Sequence, residues 1–228
     1  MELWKDAVLL VIDMQNTYLH PEGGLSRNGV DIAPMRSAIP AVLRLIQEGQ
    51  ARGLSGIYTR QIYFPQDEGM ASKRIWPKTR RGQGSGSHGG VYDTPYALEG
   101  TWDAEIVEEI QPLIRPVPQD RVLDKPRYSA FYQTGLDNLL RVMGARTLIV
   151  CGVATNVCVD STIRDAFFRN YDVLVVREAV ASAQPDLNQA FLRNFDLFFG
   201  QVVGLEEILG PSLVESEQRV SAPGGNRG

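Results

Sequence analysis

Histidine is almost missing from this chain: 228 residues include only His20 and His88. Chemistry that depends on imidazole, as a base or as a metal ligand, therefore has little to draw on. Cysteine is equally scarce, with Cys151 and Cys158 placed on either side of one short apolar segment. That spacing excludes the disulfide framework of a small secreted domain and points to a reducing compartment. Long hydrophobic runs are absent near the N-terminus, where Ala7–Ile12 is six residues long, follows Glu2, Lys5 and Asp6, and is closed by Asp13. A signal peptide or membrane span needs more. Positive charge is not in excess, since 23 Lys+Arg stand against 27 Asp+Glu for a net charge of −4, which argues against a general nucleic-acid binder. The chain is expected to be cytoplasmic, with neither membrane nor nucleic acid as partner.

What is present is ordinary globular material: 43% apolar and 22% charged residues. At this length roughly 70–75% of the unfolded surface can be buried in one core. Ala7–Ile12 is continuously apolar, as in a strand covered on both faces of a parallel sheet. From 32 to 52 apolar residues recur at helical spacing (Ile39, Val42, Leu43, Leu45, Ile46), and Gly53 sits where a helix ends. A second strand is predicted over 54–59, a helix over 133–143 ending at Gly144, a strand over 147–151, a short strand over 173–176 and a helix over 190–199. Strands alternating with helices predict an α/β fold, a three-layer α/β/α sandwich with a mainly parallel central sheet. Residues 1–210 are expected to form one domain, interrupted by a long loop at about 63–100 rich in Gly, Pro and charge. The tail 211–228 is expected to be disordered.

In doubly wound sheets ligands bind at the carboxyl ends of the strands, so the polar residues that close apolar runs are the first candidates. Asp13 closes the first strand. After Cys151 comes Gly152–Val153–Ala154–Thr155–Asn156–Val157–Cys158, in which Thr155 or Asn156 is a suitable N-cap for a helix running to about Asn170. Cys158 then lies in the first turn, where free N–H groups and the helix dipole favour a thiolate. It is the candidate nucleophile, its alternative being a small buried hydrophobe, whereas Cys151 within a strand reads as core packing. A base is also needed. His20 and His88 stand in loop-like sequence with no orienting partner, and Asp13 is the better placed group. On these grounds alone Lys125 reads as a solvated charge.

Three blocks then resemble the isochorismatase-like cysteine hydrolases. They are Val11–Ile12–Asp13–Met14–Gln15–Asn16, Asp124–Lys125–Pro126–Arg127–Tyr128–Ser129–Ala130–Phe131, and the stretch from Gly152 to Thr162, in the family's order within about residues 7–204. The resemblance implies an Asp–Lys–Cys triad on Asp13, Lys125 and Cys158. It also implies an oxyanion hole from the backbone N–H groups of Ala154 and Cys158, with a cis peptide between Val153 and Ala154. The run Ser161–Thr162–Ile163–Arg164–Asp165–Ala166–Phe167–Phe168 and the later Phe198–Phe199–Gly200 look closest to ureidoacrylate amidohydrolase and biuret hydrolase. A departure stands at Thr59–Arg60–Gln61, where the ureidoacrylate enzyme has an Asn. The implied activity is hydrolysis of a C–N bond in a small ureide, carbamoyl compound or amide, through a thioester on Cys158. A nicotinamidase-like activity, another amidase activity, or a non-catalytic binding domain of the same fold are the alternatives. Asn16, Gln61, Trp102, Tyr128 and Phe131 are expected to contact substrate, and a homo-oligomer (dimer or tetramer) is expected by the same resemblance.

No cofactor and no metal are expected. Gly84–Ser85–Gly86–Ser87–His88–Gly89 spells G-x-G-x-x-G, but no apolar strand precedes it and no helical pattern follows. Two Cys and two His so placed cannot supply a tetrahedral zinc site, and residues 60–76 contain no histidine for the metal of the nicotinamide-hydrolysing relative. Lys73, Arg74, Lys78, Arg80 and Arg81 form a basic run that is either a solvated loop or a means of steering an anionic substrate.

Overall fold

The computed structural model describes residues 4–63 and 96–210. Most of the predicted loop, with the basic run, the glycine pattern and His88, and the predicted tail lie outside the described residues. Six strands form one sheet, in the order β3-β2-β1-β4-β5-β6, and every neighbouring pair is parallel. They are β1 (Ala7–Ile12), β2 (Ser55–Gln61), β3 (Asp120–Lys125), β4 (Thr147–Val153), β5 (Asp172–Ala181) and β6 (Gln201–Val203).

The continuous hydrophobicity of β1 has its expected cause. Ala7, Leu9 and Val11 enter one core while Val8, Leu10 and Ile12 enter another, so both faces of the strand are buried. The first core is completed by α1 (Asn16–Leu19), α2 (Gly24–Arg27), α3 (Ala33–Arg36), α4 (Ile39–Ala51) and α8 (Leu205–Leu209). The second takes α5 (Leu136–Val142), α6 (Asp160–Phe167) and α7 (Pro185–Phe198). Two cores separated by the sheet make the three-layer α/β/α sandwich that the alternation of elements predicts.

Several boundaries move. The single helix expected over 32–52 is two, broken at Ser37–Ala38, with Pro34 and Pro40 each in a first turn where a missing N–H costs nothing. The short strand expected at 173–176 is the ten-residue β5, whose exposed Arg177 and Glu178 interrupt its apolar pattern as its register against β4 shifts after Val150. Strand β3 is unpredicted, because it forms a sheet edge on which Arg121, Leu123 and Asp124 are partly or fully exposed. Among the described residues no helix is long and apolar enough to cross a membrane.

The strand order reverses between β1 and β4. Asp13 follows β1, and Cys158 comes five residues after β4, so both stand at the crevice where parallel sheets bind ligands. Gly152 makes the approach of the two strands possible. It has φ +116°, and a Cβ there would collide with the backbone of Ile12, reaching within 2.7 Å of its nitrogen.

Candidate active site

Each candidate side chain reaches the crevice from a different strand end. Asp13, with φ +50°, turns the chain out of β1 and is completely buried. Its Oδ1 accepts a hydrogen bond from the hydroxyl of Thr59 at 2.6 Å, and the Asp13 N–H donates to Thr59 Oγ1 at 3.2 Å. Its Oδ2 faces the ammonium of Lys125, the last residue of β3, at 2.7 Å, with both side chains at zero exposure. Lys125 Nζ also donates to Gln61 Oε1 at 3.0 Å and to the carbonyl of Arg127 at 3.2 Å. Cys158 completes the group, within hydrogen-bonding reach of both Asp13 and Lys125 and only 5% exposed. The structure thus brings together the three residues assigned to the triad.

The helix that carries Cys158 begins differently from the expectation. Ala154, in extended backbone, occupies the cap position instead of Thr155 or Asn156, and the peptide joining it to Val153 is cis. Thr155–Val159 is a single wide turn: Val159 N–H donates to Ala154 and Asp160 N–H to Thr155, five residues back in each case. Such turns are rare and concentrate at functional sites. Asn156 faces Ser182, whose hydroxyl donates to it at 2.6 Å.

Electrostatics corrects a second expectation. Burial pushes the Cys158 thiol upward; Lys125 opposes this and Asp13 reinforces it, with a net rise. That direction is opposite to the one expected from a helix terminus. Burial pulls the Lys125 ammonium down, but Asp13 and Cys158 more than offset it and its value rises. The reason is charge counting: Asp13⁻ and Lys125⁺ sum to zero, and a thiolate would leave an uncompensated negative charge in a dry site. These directions favour the un-ionised thiol and the charged ammonium beside Asp13. Cys151, by contrast, is raised by burial alone.

The five expected substrate contacts divide. Gln61 is tied to Lys125 at both ends of its amide, accepting from Nζ and donating to the carbonyl at 3.2 Å. Asn16 donates its amide to the carbonyl of Trp102 at 2.8 Å. Phe131 packs in the second core under the Arg169 guanidinium, which lies 4.9 Å from its ring centre. Trp102 is half exposed and meets His20 edge-on at 4.8 Å between ring centres. Tyr128 is partly buried and lies within electrostatic reach of Tyr63.

Several site residues escaped the sequence reading. Gln15 donates to the carbonyls of Gln61 at 3.0 Å and Ala104 at 2.7 Å and accepts from Gln61 N–H at 2.8 Å, stapling the end of β2 to the segment after Trp102. Tyr18, Tyr63 and Tyr96 all lie within electrostatic reach of Cys158. Thr59, two residues before the expected Gln61 on the same face at the end of β2, carried a legible signal: a polar side chain buried where an apolar strand stops. The tyrosines carried none. Among the described residues no cluster of His, Cys, Asp or Glu could hold a metal ion.

Comparison with known proteins places the whole chain. The chain is 35% identical over 208 residues to the ureidoacrylate amidohydrolase RutB of Methylobacterium radiotolerans, covering 89% of this chain and 79% of that one. A cysteine hydrolase from Pseudomonas syringae pv. phaseolicola superposes with TM-score 0.68 at 27% identity, over 90% of this chain and 91% of the other. N-carbamoylsarcosine amidase from Thermoplasma acidophilum does so with TM-score 0.65 at 28% identity, over 90% and 99%. Residues 7–207 match the Isochorismatase domain, and the chain belongs to that family.

Proposed function

We propose that this isochorismatase-family hydrolase is a cysteine amidohydrolase that cleaves a C–N bond of a small ureide, carbamoyl compound or amide through a thioester on Cys158. The observation that carries the reading is the fully buried Asp13–Lys125 pair at 2.7 Å, set against the Cys158 thiol.

Asp13 takes the thiol proton as sulfur attacks the substrate carbonyl. Before the transfer the group is COO⁻, NH₃⁺ and SH; after it, COOH, NH₃⁺ and S⁻. The sum is zero in both states, so burial does not oppose the step, and Lys125 stays beside whichever partner is negative. The carbonyl oxygen, gaining charge, takes hydrogen bonds from the N–H groups of Ala154 and Cys158. Asp13 then returns its proton to the departing nitrogen, the C–N bond breaks and an acyl or carbamoyl group remains on sulfur. Water, deprotonated by Asp13, attacks that carbonyl. The acid is released, and the proton on Asp13 restores the thiol. Trp102 and Tyr128 form part of the substrate wall, and the RutB relative and the carbamoylsarcosine amidase favour a ureide or carbamoyl compound.

Biuret, N-carbamoyl amino acids, ureidoacrylate and simple amides, assayed for ammonia release, test the reading. Turnover of at least one, with a rapidly quenched sample showing an acyl or carbamoyl mass on the peptide containing Cys158, is expected. Full turnover by Cys158→Ser would sink it.

A further inference from the structure

The chain leaves β2 at Tyr63 and re-enters the described structure at Tyr96, and these two residues meet beside Cys158. Their rings are edge-to-face at 5.3 Å and their hydroxyls share a hydrogen bond. The backbone is zipped at the same point: Tyr63 N–H donates to the Ala97 carbonyl at 2.9 Å, and Glu99 N–H donates to the Tyr63 carbonyl at 2.9 Å. Ala97 has φ +49° and is wholly buried, a conformation that a non-glycine residue keeps only when its surroundings enforce it.

The enforcing group is Asp103. At 6% exposure, it accepts from Ala97 N–H through Oδ2 and from Gly24 N–H through Oδ1, each at 2.8 Å, while Arg27 stands at 3.4 Å. Gly24 presses on the same spot. A Cβ there would overlap the Cβ of Tyr96 and come within 2.7 Å of Thr17 Oγ1 and 2.9 Å of Asp103 Oδ2. Ala97 is therefore gripped by its carbonyl from Tyr63 and by its N–H from Asp103, and Tyr96 has no room to withdraw toward α2.

We propose that Asp103 is a positioning residue that seats Tyr96 against Tyr63 beside Cys158, and that this phenol pair selects substrates carrying a second acceptor group, carbonyl or carboxylate, beyond the scissile carbonyl. The inference rests on the amidohydrolase reading and deepens it. Burial foremost, then the phenols' mutual interaction and a Cys158 thiolate, keep Tyr63 protonated; burial does the same for Tyr96 against the pull of Tyr63. Both phenols stay protonated throughout the reaction; one O–H is spent on the bond between them and the pair keeps the other to donate outward, as recognition of an acceptor requires. A simple amide has no second acceptor to offer them.

The test uses the full-length protein and three variants, Asp103→Ala, Asp103→Asn and Tyr96→Phe, with biuret and acetamide as substrates and iodoacetamide as a thiol probe. Tyr96→Phe should raise KM for biuret about tenfold and leave that for acetamide unchanged. Asp103→Ala should do the same with kcat per titrated Cys158 changed less than about threefold, and Asp103→Asn, which keeps one acceptor oxygen, should fall between. With Tyr96 released, alkylation of Cys158 should quicken at least about threefold in Asp103→Ala. A biuret-to-acetamide KM ratio that does not move in Tyr96→Phe overturns the selection. An Asp103→Ala protein with a lower Tm but unchanged KM and alkylation rate overturns the positioning role. If the wild type hydrolyses neither compound, the selection falls, whereas the amidohydrolase reading falls only if ureidoacrylate and the N-carbamoyl amino acids are not hydrolysed either; equal alkylation rates in wild type and Asp103→Ala overturn the clamp.

Discussion

Strand β3 carries a buried charge at each end, and the two are built differently. Asp120, at its start, is 2% exposed and accepts from Gly56 N–H at 2.7 Å, Arg115 N–H at 2.8 Å and the Arg115 guanidinium at 2.8 Å. Its partners are main-chain amides and a group that never loses its proton. Lys125, at the other end, is 1% exposed and faces the Asp13 carboxylate and the Cys158 thiol, which in the proposed reaction exchange a proton. Burial of a charge therefore does not by itself mark a reactive site. What separates the two ends is whether the surrounding groups can trade a hydrogen.

The sharpest way to break the comparison is at Cys158 and Asp13. Cys158→Ser and Asp13→Asn should each lower kcat by about 10³-fold or more, measured on samples of matched folded fraction, because each removes a member that acts with the others. Next is Lys125→Met. It strands a carboxylate in a dry site, so it should cost about 3–5 kcal/mol in denaturant unfolding as well as most of the turnover. Asp120→Ala is the counterpart at the other end. Two buried N–H groups and a guanidinium lose their acceptor, and stability should fall by roughly 1–3 kcal/mol while kcat per folded molecule stays put. Loss of turnover there would erase the distinction drawn above.

The pH dependence of the thiols sharpens it further. Cys158 lies above its ordinary 9.0, so its thiolate fraction near neutrality is below that of an exposed cysteine. Its alkylation by iodoacetamide should keep rising with pH beyond about 10, where an exposed thiol has nearly levelled off; a plateau reached at about 9 or below would contradict the upward shift. The smallest effect on turnover belongs to Cys151→Ser. It puts a hydroxyl into the first core, at a cost of about 1–3 kcal/mol in stability, with kcat retained.

Much of this was readable from the residues, and the failures follow a pattern. Strands β1 and β4 announce themselves because both faces are covered and their apolar runs are unbroken. Strand β3 does not, since an edge strand with only Val122 and Leu123 between charged pairs resembles a charged loop. Asp13 and Cys158 were legible as polar stops at the sheet's carboxyl edge, while Lys125 was assigned only through resemblance to a family. Neither spacing nor composition tells a lysine that it will be fully enclosed; its partners come from β1, β2 and the turn after β4, far off in sequence. Asp103 and the tyrosines were missed for the same reason. Their roles arise from where the chain re-enters the fold, which no local periodicity encodes.

Gly152 has a consequence for how this catalyst tolerates change. Because β1 and β4 touch main chain to main chain at that point, the spacing between acid and thiol is fixed by two backbones and not by the fit of replaceable side chains. Drift elsewhere in either core can be absorbed by repacking, but even a single methyl at residue 152 would have to move one of the two strands that deliver the reacting groups.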